Sequence, residues 1–313
     1  MAHQVETMAY AVEVPWHGIG ARVDRDISVD EMLVAAGLDW SVDLRPLCAK
    51  LPDGGYVDVA DRYALVRSSD HRVLTVTGKS WNPIQNSQTL GFMREYVEAG
   101  GATLETAGSL RNGKIVWGLA RLNHSFDVSA GDRVNGYLLF TSPHEVGRAT
   151  TVRTTTVRVV CANTMAMAEH EGEINYKQNH LSEFDFGAAK ARVAEAHEHL
   201  AVAEKRAKTL NDLIISVEDA VKKAVVPVMF PELEHMDNIM DTDKQPKKLR
   251  EIIQSMTTAP GHSDTAWGAL NGVTHWADHV AGRDAGSRMH RAWVGDTLRN
   301  KQQVEQKLYE LAA

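Results

Sequence analysis

The chain has 313 residues and a formal net charge of −7, with 43% hydrophobic and 24% charged residues. This length exceeds the usual size of a single domain, so we expect one large domain or two modest ones. The composition is that of a folded globular protein and excludes a wholly disordered chain or a fibrous repeat. The negative net charge excludes a surface that is positive all over, but a local basic groove stays open.

Two further classes are excluded by what the sequence lacks. No apolar run approaches the roughly 20 residues that span a bilayer, and the first residues lack the basic-then-apolar order of a signal peptide. Cysteine occurs only at Cys48 and Cys161, which excludes a disulfide scaffold and a cysteine-rich zinc site. We therefore expect a cytoplasmic protein with no membrane contact and no cofactor.

The stretch WHGIG at residues 16–20 is the first candidate site along the chain. A phosphate-binding loop would need a longer glycine pattern and a lysine, and an acyl-transfer site would need a serine elbow, which occurs neither here nor in AGSL at 107–110. No Walker-type element occurs elsewhere, so ATP hydrolysis is not indicated. We predict a turn formed by Gly18 and Gly20, with Trp16 packed and only His17 open to a functional contact.

The first hundred residues predict two helices with β-strands between them. Ser28 stands three residues before Glu31, the spacing of a capping box, and this helix ends at Gly37. A second helix is expected from Ser87, as its cap, to the glycine pair at 100–101. Residues 63–81 predict two β-rich runs joined by a polar turn.

The clearest β signal follows the second helix. The segments ATLETAGSL (102–110) and KIVWGLARL (114–122) flank Asn112-Gly113, which suits a tight hairpin turn. Further strands are predicted in RVNGYLLFTS (133–142) and RATTVRTTTVRVV (148–160), whose β-branched residues favour a pleated backbone. CANTMAMAEH (161–170) is typical of a turn into a helix. This order predicts three or four antiparallel strands followed by a helix.

Helices are predicted from about Phe184 onward. Apolar residues recur there at intervals of three or four up to Val217, with a break near Ser216 where a new helix is capped. A polar connection at 237–248 precedes two more helical stretches. We therefore predict an α+β fold with an antiparallel β-meander core and packed helices (residues 1–182), followed by a helical C-terminal region (residues 183–313).

Positive charge concentrates in two strand-like segments. Residues 62–81 carry four cations and one acid, and residues 146–168 carry three arginines and no acid. Side chains alternate along a strand, so Arg153 and Arg158 lie on opposite faces, each among threonines. Arginines interleaved with hydroxyls can bind the phosphates of a nucleic-acid backbone. An exposed strand whose arginines keep it soluble explains the same pattern.

A histidine pair offers the alternative of a metal site. His275 and His279 stand one helical turn apart, so both imidazoles could bind a single ion. The glutamate of a zinc-peptidase motif is replaced by Trp276, and no third ligand is evident beyond His262 or His290. Whether this pair binds a metal stays open, and we assign neither a catalytic nor a metal-binding residue.

Several motifs in order resemble those of a phage- and plasmid-associated family. They are VPWHGIG, YALVRS, WNPIQNSQTLGFM, ETAGSLRNGKIVWGLARL, VRVVCANT and TAWGALNGVTHWADH. Together they resemble the family catalogued as domain of unknown function 932, over nearly the whole chain. The resemblance implies an origin in a bacteriophage, prophage or plasmid. In architecture, the meander with a following helix is also similar to single-strand annealing proteins, the superfamily that includes Red-beta and RecT.

The second resemblance implies a function without ATP. Such proteins form rings or filaments that hold single-stranded DNA in a basic groove and pair it with a complement. Our leading hypothesis is therefore an oligomeric, phage-encoded annealing protein of homologous recombination, working with host or phage recombination proteins. The residues expected to contact DNA are Arg148, Arg153, Arg158, Lys79, Arg67 and, by base stacking, Trp81. The alternatives are a structural or host-interaction oligomer without a nucleic-acid role and a metal-dependent enzyme.

Overall fold

The structure is a computed structural model that describes residues 4–15, 17–129, 132–156, 165, 173–195, 197–236, 238–241, 243–258, 263–281 and 296–312. Helices and antiparallel sheets are combined in it, and the chain's C-terminal part is helical. The predicted α+β class is thereby confirmed.

The strands form two sheets. They are β1 (Val5–Tyr10), β2 (Ala21–Arg22), β3 (Val42–Lys50), β4 (Tyr56–Arg67), β5 (Val73–Thr77), β6 (Ala102–Leu110), β7 (Ile115–Ser129), β8 (Asp132–Pro143), β9 (Thr150–Thr155) and β10 (Glu173–Gln178). The larger sheet has the order β10-β9-β8-β7-β6-β1-β2, and the smaller has the order β3-β4-β5. Strands β6 to β9 are neighbours in chain order, which confirms the predicted meander.

The β6–β7 turn has the geometry that its sequence predicts. Leu110 pairs with Ile115 across the hairpin. Between them Arg111, Asn112 and Gly113 have φ values of 56°, 59° and 82°. Asparagine and glycine tolerate this left-handed backbone better than most residues, so Asn112-Gly113 places the turn.

Two helices pack on the sheet in the first half of the chain. Helix α1 (Val29–Ala35) is capped by Ser28, whose Oγ accepts the backbone N–H of Glu31, while the Glu31 carboxylate accepts the backbone N–H of Ser28. This confirms the predicted capping box. Helix α2 (Asn86–Glu98) has Gln85 as its N-cap, two residues before Ser87, the predicted cap. The start moves because the buried Asn86 side chain donates to the carbonyls of Leu38 and Trp40, at 3.0 Å each.

The smaller sheet extends into a ribbon of two strands. Strands β3 and β4 pair from Val42–Arg67 to Lys50–Tyr56 with an interruption near Pro46, whereas β5 pairs with β4 only between Tyr63 and Val66. We call residues 45–62 the β-arm. Within the described chain, no third strand flanks its outer part, and every side chain in it is exposed or half-buried.

The helices after residue 185 depart from the prediction at two places: the helix predicted up to Ser216 ends at Asp212, and an unpredicted helix at Lys247–Thr258 begins within the predicted polar connection. The described helices are α3 (Phe186–Glu195), α4 (His197–Asp212), α5 (Val217–Ala220), α6 (Val226–Met229), α7 (Lys247–Thr258), α8 (Ala266–His275) and α9 (Asp296–Ala312). Ser216 caps α5, as predicted. A π-helical turn joins α5 to α6 just before Pro227, which has no N–H to donate to the preceding turn. Of the predicted helix at 161–170, only Met165 is described, and it is helical.

Contacts divide the chain into two compact units. One contains residues 3–125 and 135–200, with a core that packs α1, α2 and α3 on one face of the seven-stranded sheet. The other contains residues 126–134 and 201–313. Its helices pack on residues 126–134 of the same unit, where Trp267 donates to Asp132 at 2.6 Å and Asn211 to the carbonyl of Val128 at 3.1 Å. The division at residue 182 made from sequence stays a prediction.

Candidate nucleic-acid interface

The β6–β7 turn and the β8–β9 loop lie side by side at one end of the seven-stranded sheet. Successive turns of a meander alternate between its two ends, so these two connections share one end. The backbone N–H of His144 donates to the carbonyl of Lys114 at 2.8 Å and joins them. We call residues 111–114 and 144–149 the hairpin end.

The hairpin end carries Arg111, Lys114 and Arg148 against one carboxylate, Glu145, a net charge of +2 with neutral histidine. Arg111 donates to Glu145 at 2.8 Å, and Nε of Arg148 lies 3.5 Å from the same oxygen. Both arginine side chains are more than two-fifths exposed. The residues of the hairpin end thus carry net positive charge, although the whole chain carries −7.

A buried histidine fixes the hairpin end to the rest of the unit. His144 is fully buried, and its Nε2 lies 3.0 Å from Oδ1 of Asn86. The Asn86 amide nitrogen already donates to two backbone carbonyls, so Oδ1 is an acceptor and Nε2 of His144 carries the proton. Burial lowers the pKa of His144 to about 3, so the ring is neutral at physiological pH.

A second buried histidine lies near the first. His180 stacks on Trp81 with ring centroids 4.2 Å apart and planes inclined by 8°. Its Nδ1 donates to the carbonyl of Asn82 at 3.1 Å, and its Nε2 faces the hydroxyl of Thr150 at 3.5 Å. Burial lowers the pKa of His180 as well. The loop before α2 is thereby held against the first residue of β9.

Trp81 and Lys79 share this loop but differ in exposure. The indole of Trp81 is buried, and His180 covers one of its faces, the position that a DNA base would occupy in the predicted stacking contact. Lys79 is exposed two residues earlier. The structure therefore leaves Lys79 open to phosphate while Trp81 contributes to packing.

Arg67 is an ion-pair residue of the interior. Its side chain is only 7% exposed, and it donates to Asp70 at 2.6 and 2.8 Å and to Glu6 at 2.9 and 3.0 Å. The hydrogen bonds from Arg67 hold the pKa of Asp70 well below its usual range. The guanidinium also lies 5.2 Å from the ring of Trp40. With two carboxylates already bound, Arg67 is committed to holding β4 against β1.

Arg153 lies inside the sheet. Strand β9 is flanked by β8 and β10, with Arg153 opposite Leu139 on one side and Ile174 on the other. All six residues of β9 are buried, so neither the exposed groove nor the exposed soluble strand considered from the sequence describes it. Arg158 lies outside the described residues.

The structure therefore brings together one of the sequence-predicted cations, Arg148, with two that sequence reasoning missed, Arg111 and Lys114. The missed pair flanks the Asn-Gly turn in the stretch RNGK. Basic residues on both sides of a predicted hairpin turn were the available signal, because a tight turn directs its flanking side chains to the same end of a sheet. The two buried histidines gave no such signal among 14 in the chain.

The other candidate sites have simpler roles. Gly18 and Gly20 have φ values of 69° and 119°, which confirms the predicted turn, and Nδ1 of His17 accepts the backbone N–H of Ile19 at 3.1 Å. His275 lies 3.5 Å from the hydroxyl of Ser255. Within the described residues, no group of three or more histidine, cysteine or acidic side chains is placed to hold a metal ion.

Comparison with known proteins identifies the family. No curated protein and no solved structure is significantly similar to the chain. The similarity to Red-beta and RecT therefore stays a prediction. No helix in the described part has both the length and the apolar character needed to cross a membrane. The family model named Domain of unknown function (DUF932) matches residues 73–310, so the chain belongs to the DUF932 family.

Proposed function

We propose that this DUF932 member is an ATP-independent single-stranded-DNA-binding protein of the annealing kind, acting as an oligomer in the cytoplasm of the host cell. The observation that carries the proposal is the hairpin end, a positive surface on a negatively charged chain. Cations gathered at one place bind a phosphate backbone and release its counterions, whatever the net charge elsewhere.

The hairpin end is built to present its cations in a fixed arrangement. Arg111 and Arg148 bind the same oxygen of Glu145, which is itself mostly buried. The buried His144–Asn86 contact anchors the loop that carries Arg148. A cation held in place loses less side-chain entropy when it binds a phosphate, so this framework favours binding.

The chemistry of these contacts suits annealing. Guanidinium and ammonium groups bind phosphates without reading the bases, so any sequence can be held with its bases open to a complement. Lys79 would extend the same contact along the neighbouring loop. Because Trp81 is covered by His180, we assign the affinity to phosphate contacts and not to base stacking.

Charge removal at the hairpin end tests the proposal. The variant carries Lys79→Gln, Arg111→Gln, Lys114→Gln and Arg148→Gln, and binding of a labelled single-stranded oligonucleotide is measured from low to physiological salt. For single strands, each lost phosphate contact reduces the slope of log K against log salt by about 0.7. We expect weaker binding and a slope reduced by roughly 2–3, for three to four lost contacts.

A matched variant separates local from overall charge. It replaces four exposed lysines of the helical unit, each paired with an acid: Lys208→Gln, Lys223→Gln, Lys244→Gln and Lys307→Gln. Both variants lose the same charge, so only the hairpin-end variant should lose binding. Equal losses in the two variants, or no binding by the wild type at low salt, would overturn the proposal.

Annealing itself is tested with two complementary labelled strands and no ATP. The wild type should accelerate their pairing, and the hairpin-end variant should not. A protein that binds single strands but leaves the pairing rate unchanged would contradict the annealing function while keeping the binding site.

A further inference from the structure

The β-arm has an apolar face that is open to solvent. Leu47, Ala49 and Leu51 alternate along one strand, and Val57 and Val59 alternate along the other, with Ala49 directly opposite Val57. Side chains with a period of two share one face of a ribbon. Leu51 and Val57 are 40% and 48% exposed. Such a patterned apolar face is typical of a strand that packs against a partner.

The same strand is positively charged. Between residues 44 and 52 it carries Arg45 and Lys50 and no acid, whereas the rest of the β-arm carries Asp53, Asp58 and Asp61 with Arg62. Arg45 contacts only the exposed Asp43, at 3.4 Å, and Lys50 forms no ion pair with any described residue. A partner for this strand therefore needs apolar contacts together with negative charge.

A groove that combines apolar side chains with negative charge lies elsewhere in the same compact unit. It has a volume of about 840 Å³ and runs beside β2, the edge strand of the larger sheet. Its lining residues are Arg22, Val23, Asp24, Asp26, Ile27, Asp30, Glu31, Val34 and Ala35. Four acids against one arginine give the lining a charge of −3. Val34 is 62% exposed at its wall.

The carboxylates of two of the groove's acids have no ion-pair or hydrogen-bond partner among the described residues. Asp30 pairs with Arg94 at 2.7 Å, and the Glu31 carboxylate accepts from Ser28. The carboxylates of Asp24 and Asp26 contact no hydrogen-bond donor or cation among the described residues. Strand β2 pairs with β1 through two residues, which leaves the outer edge of β2 open within the described chain.

We propose that the β-arm of one copy binds the acidic groove of a second copy. Arg45 and Lys50 on the first strand of the β-arm face a lining of −3, although the β-arm as a whole is neutral, and the leucines of that strand meet Val34 and the other apolar residues of the groove. An extended strand beside an open sheet edge also matches the geometry of β-strand addition. In a single copy the two surfaces are both exposed, so the contact forms between copies.

This contact makes a defined kind of oligomer. An arm and a groove are different surfaces, so the interface is head-to-tail and repeats into a closed ring or a filament. A symmetric contact of two arms is disfavoured, because Arg45 and Lys50 would face their own copies. The inference deepens the oligomeric part of the proposed function and rests on it there, but it does not require DNA binding.

Cross-linking through Cys48 tests the contact. Cys48 is exposed on the β-arm, and Val34→Cys places a second thiol in the groove wall. With Cys161→Ser in every protein compared, so that Cys48 is the only native thiol, a short bismaleimide should give a ladder of dimers, trimers and higher species in the Val34→Cys protein on a denaturing gel. The control Val34→Cys with Cys48→Ser should give no ladder.

Two other outcomes would overturn the contact. Dimers alone, formed also by the protein that keeps Val34, would show that two arms meet each other. Cross-linked monomers alone would show that the arm binds its own groove.

Charge exchange tests the same contact in solution. Asp24→Lys with Asp26→Lys should raise the concentration needed for assembly by about tenfold or more, as measured by mass photometry. Arg45→Glu with Lys50→Glu should do the same, and an equimolar mixture of the two variants should regain mixed dimers. If each variant assembles like the wild type, or the mixture regains nothing, the arm and groove are not partners.

DNA binding distinguishes this inference from the proposed function. The groove variant keeps the hairpin end and should retain salt-dependent binding of a short oligonucleotide, whereas the hairpin-end variant should still give the cross-linked ladder. A ladder without DNA binding would leave the inference standing and remove the proposed function. DNA binding without a ladder would do the reverse.

Discussion

Strand β9 is polar but buried, whereas the β-arm carries apolar side chains but is exposed to solvent. β9 reads Thr-Thr-Val-Arg-Thr-Thr and is buried along its whole length. The outer β-arm carries Leu51, Tyr56 and Val57, and these side chains are 40%, 70% and 48% exposed. The difference arises from the number of neighbours, because β9 lies between two strands whereas the β-arm has only its own hairpin partner.

The comparison teaches that strand position decides burial. Hydroxyls and an arginine are tolerated in an inner strand when its backbone is paired on both sides. Apolar side chains are tolerated on a ribbon when another surface covers them on assembly. The charges of a strand therefore indicate a binding site only after its neighbours in the sheet are known.

The largest expected difference between the two regions is the cost of a buried charge. Val152 of β9 is fully buried opposite Phe140, and Val57 of the β-arm is half exposed. Val152→Asp should lower the free energy of unfolding by more than about 4 kcal/mol, because the carboxylate has no partner there. Val57→Asp should lower it by less than about 1 kcal/mol. Urea denaturation at a protein concentration that keeps the chain monomeric gives both values.

A small loss of stability for Val152→Asp or a large one for Val57→Asp would contradict the difference between β9 and the β-arm. A fully folded Val152→Asp protein would mean that β9 is accessible to water. A Val57→Asp protein as unstable as Val152→Asp would mean that the β-arm packs within the monomer.

Two arginines of the three-stranded sheet, one buried and one exposed on the β-arm, test the same difference in burial. Arg67 is buried between Glu6 and Asp70, and Arg45 of the β-arm makes one exposed pair. Arg67→Ala should cost about 2–3 kcal/mol because two carboxylates lose their partner, whereas Arg45→Ala should cost about 0–0.5 kcal/mol. Thermal unfolding of both variants in low and high salt is the measurement. Similar costs for the two would show that Arg67 is solvated and available to phosphate.

Acid should weaken the buried polar region before it affects the β-arm. The pKa of His144 is lowered from 6.5 to about 3, so below about pH 6 the unfolded chain binds a proton that the folded chain does not. The contribution of His144 to the free energy of unfolding is therefore complete above about pH 6.5. It decreases as the pH is lowered, by at most about 1.4 kcal/mol per pH unit. His180 shifts in the same direction.

The variant His144→Gln isolates this contribution. Its free energy of unfolding should be lower than that of the wild type at pH 7 but should depend less on pH between 7 and 5. Carboxylates contribute equally to both proteins, so the difference between the two slopes belongs to the histidine. Identical slopes would show that His144 is protonated without cost in the folded state.

Local elements were predictable because their signals are local. The Ser28–Glu31 capping box, the Asn112-Gly113 turn and the Ser216 cap each depend on backbone groups within a few residues of one another. The cap of α2 was predicted two residues too late, at Ser87 instead of Gln85, because Asn86 bonds to Leu38 and Trp40, which are more than 40 residues away. Hydrogen bonds between residues so far apart produce no periodic pattern in the sequence.

The sequence by itself determined the α+β class, the β6–β9 meander, the caps at Ser28 and Ser216 and the two basic segments. Tertiary structure alone decided which cations reach solvent: it buried Arg67 between two carboxylates, enclosed Arg153 in the sheet and placed Arg148 beside Arg111 and Lys114. The physical reason is that periodicity fixes the face of a strand on which a side chain lies. Whether that face is open depends on strand order and on contacts between distant segments.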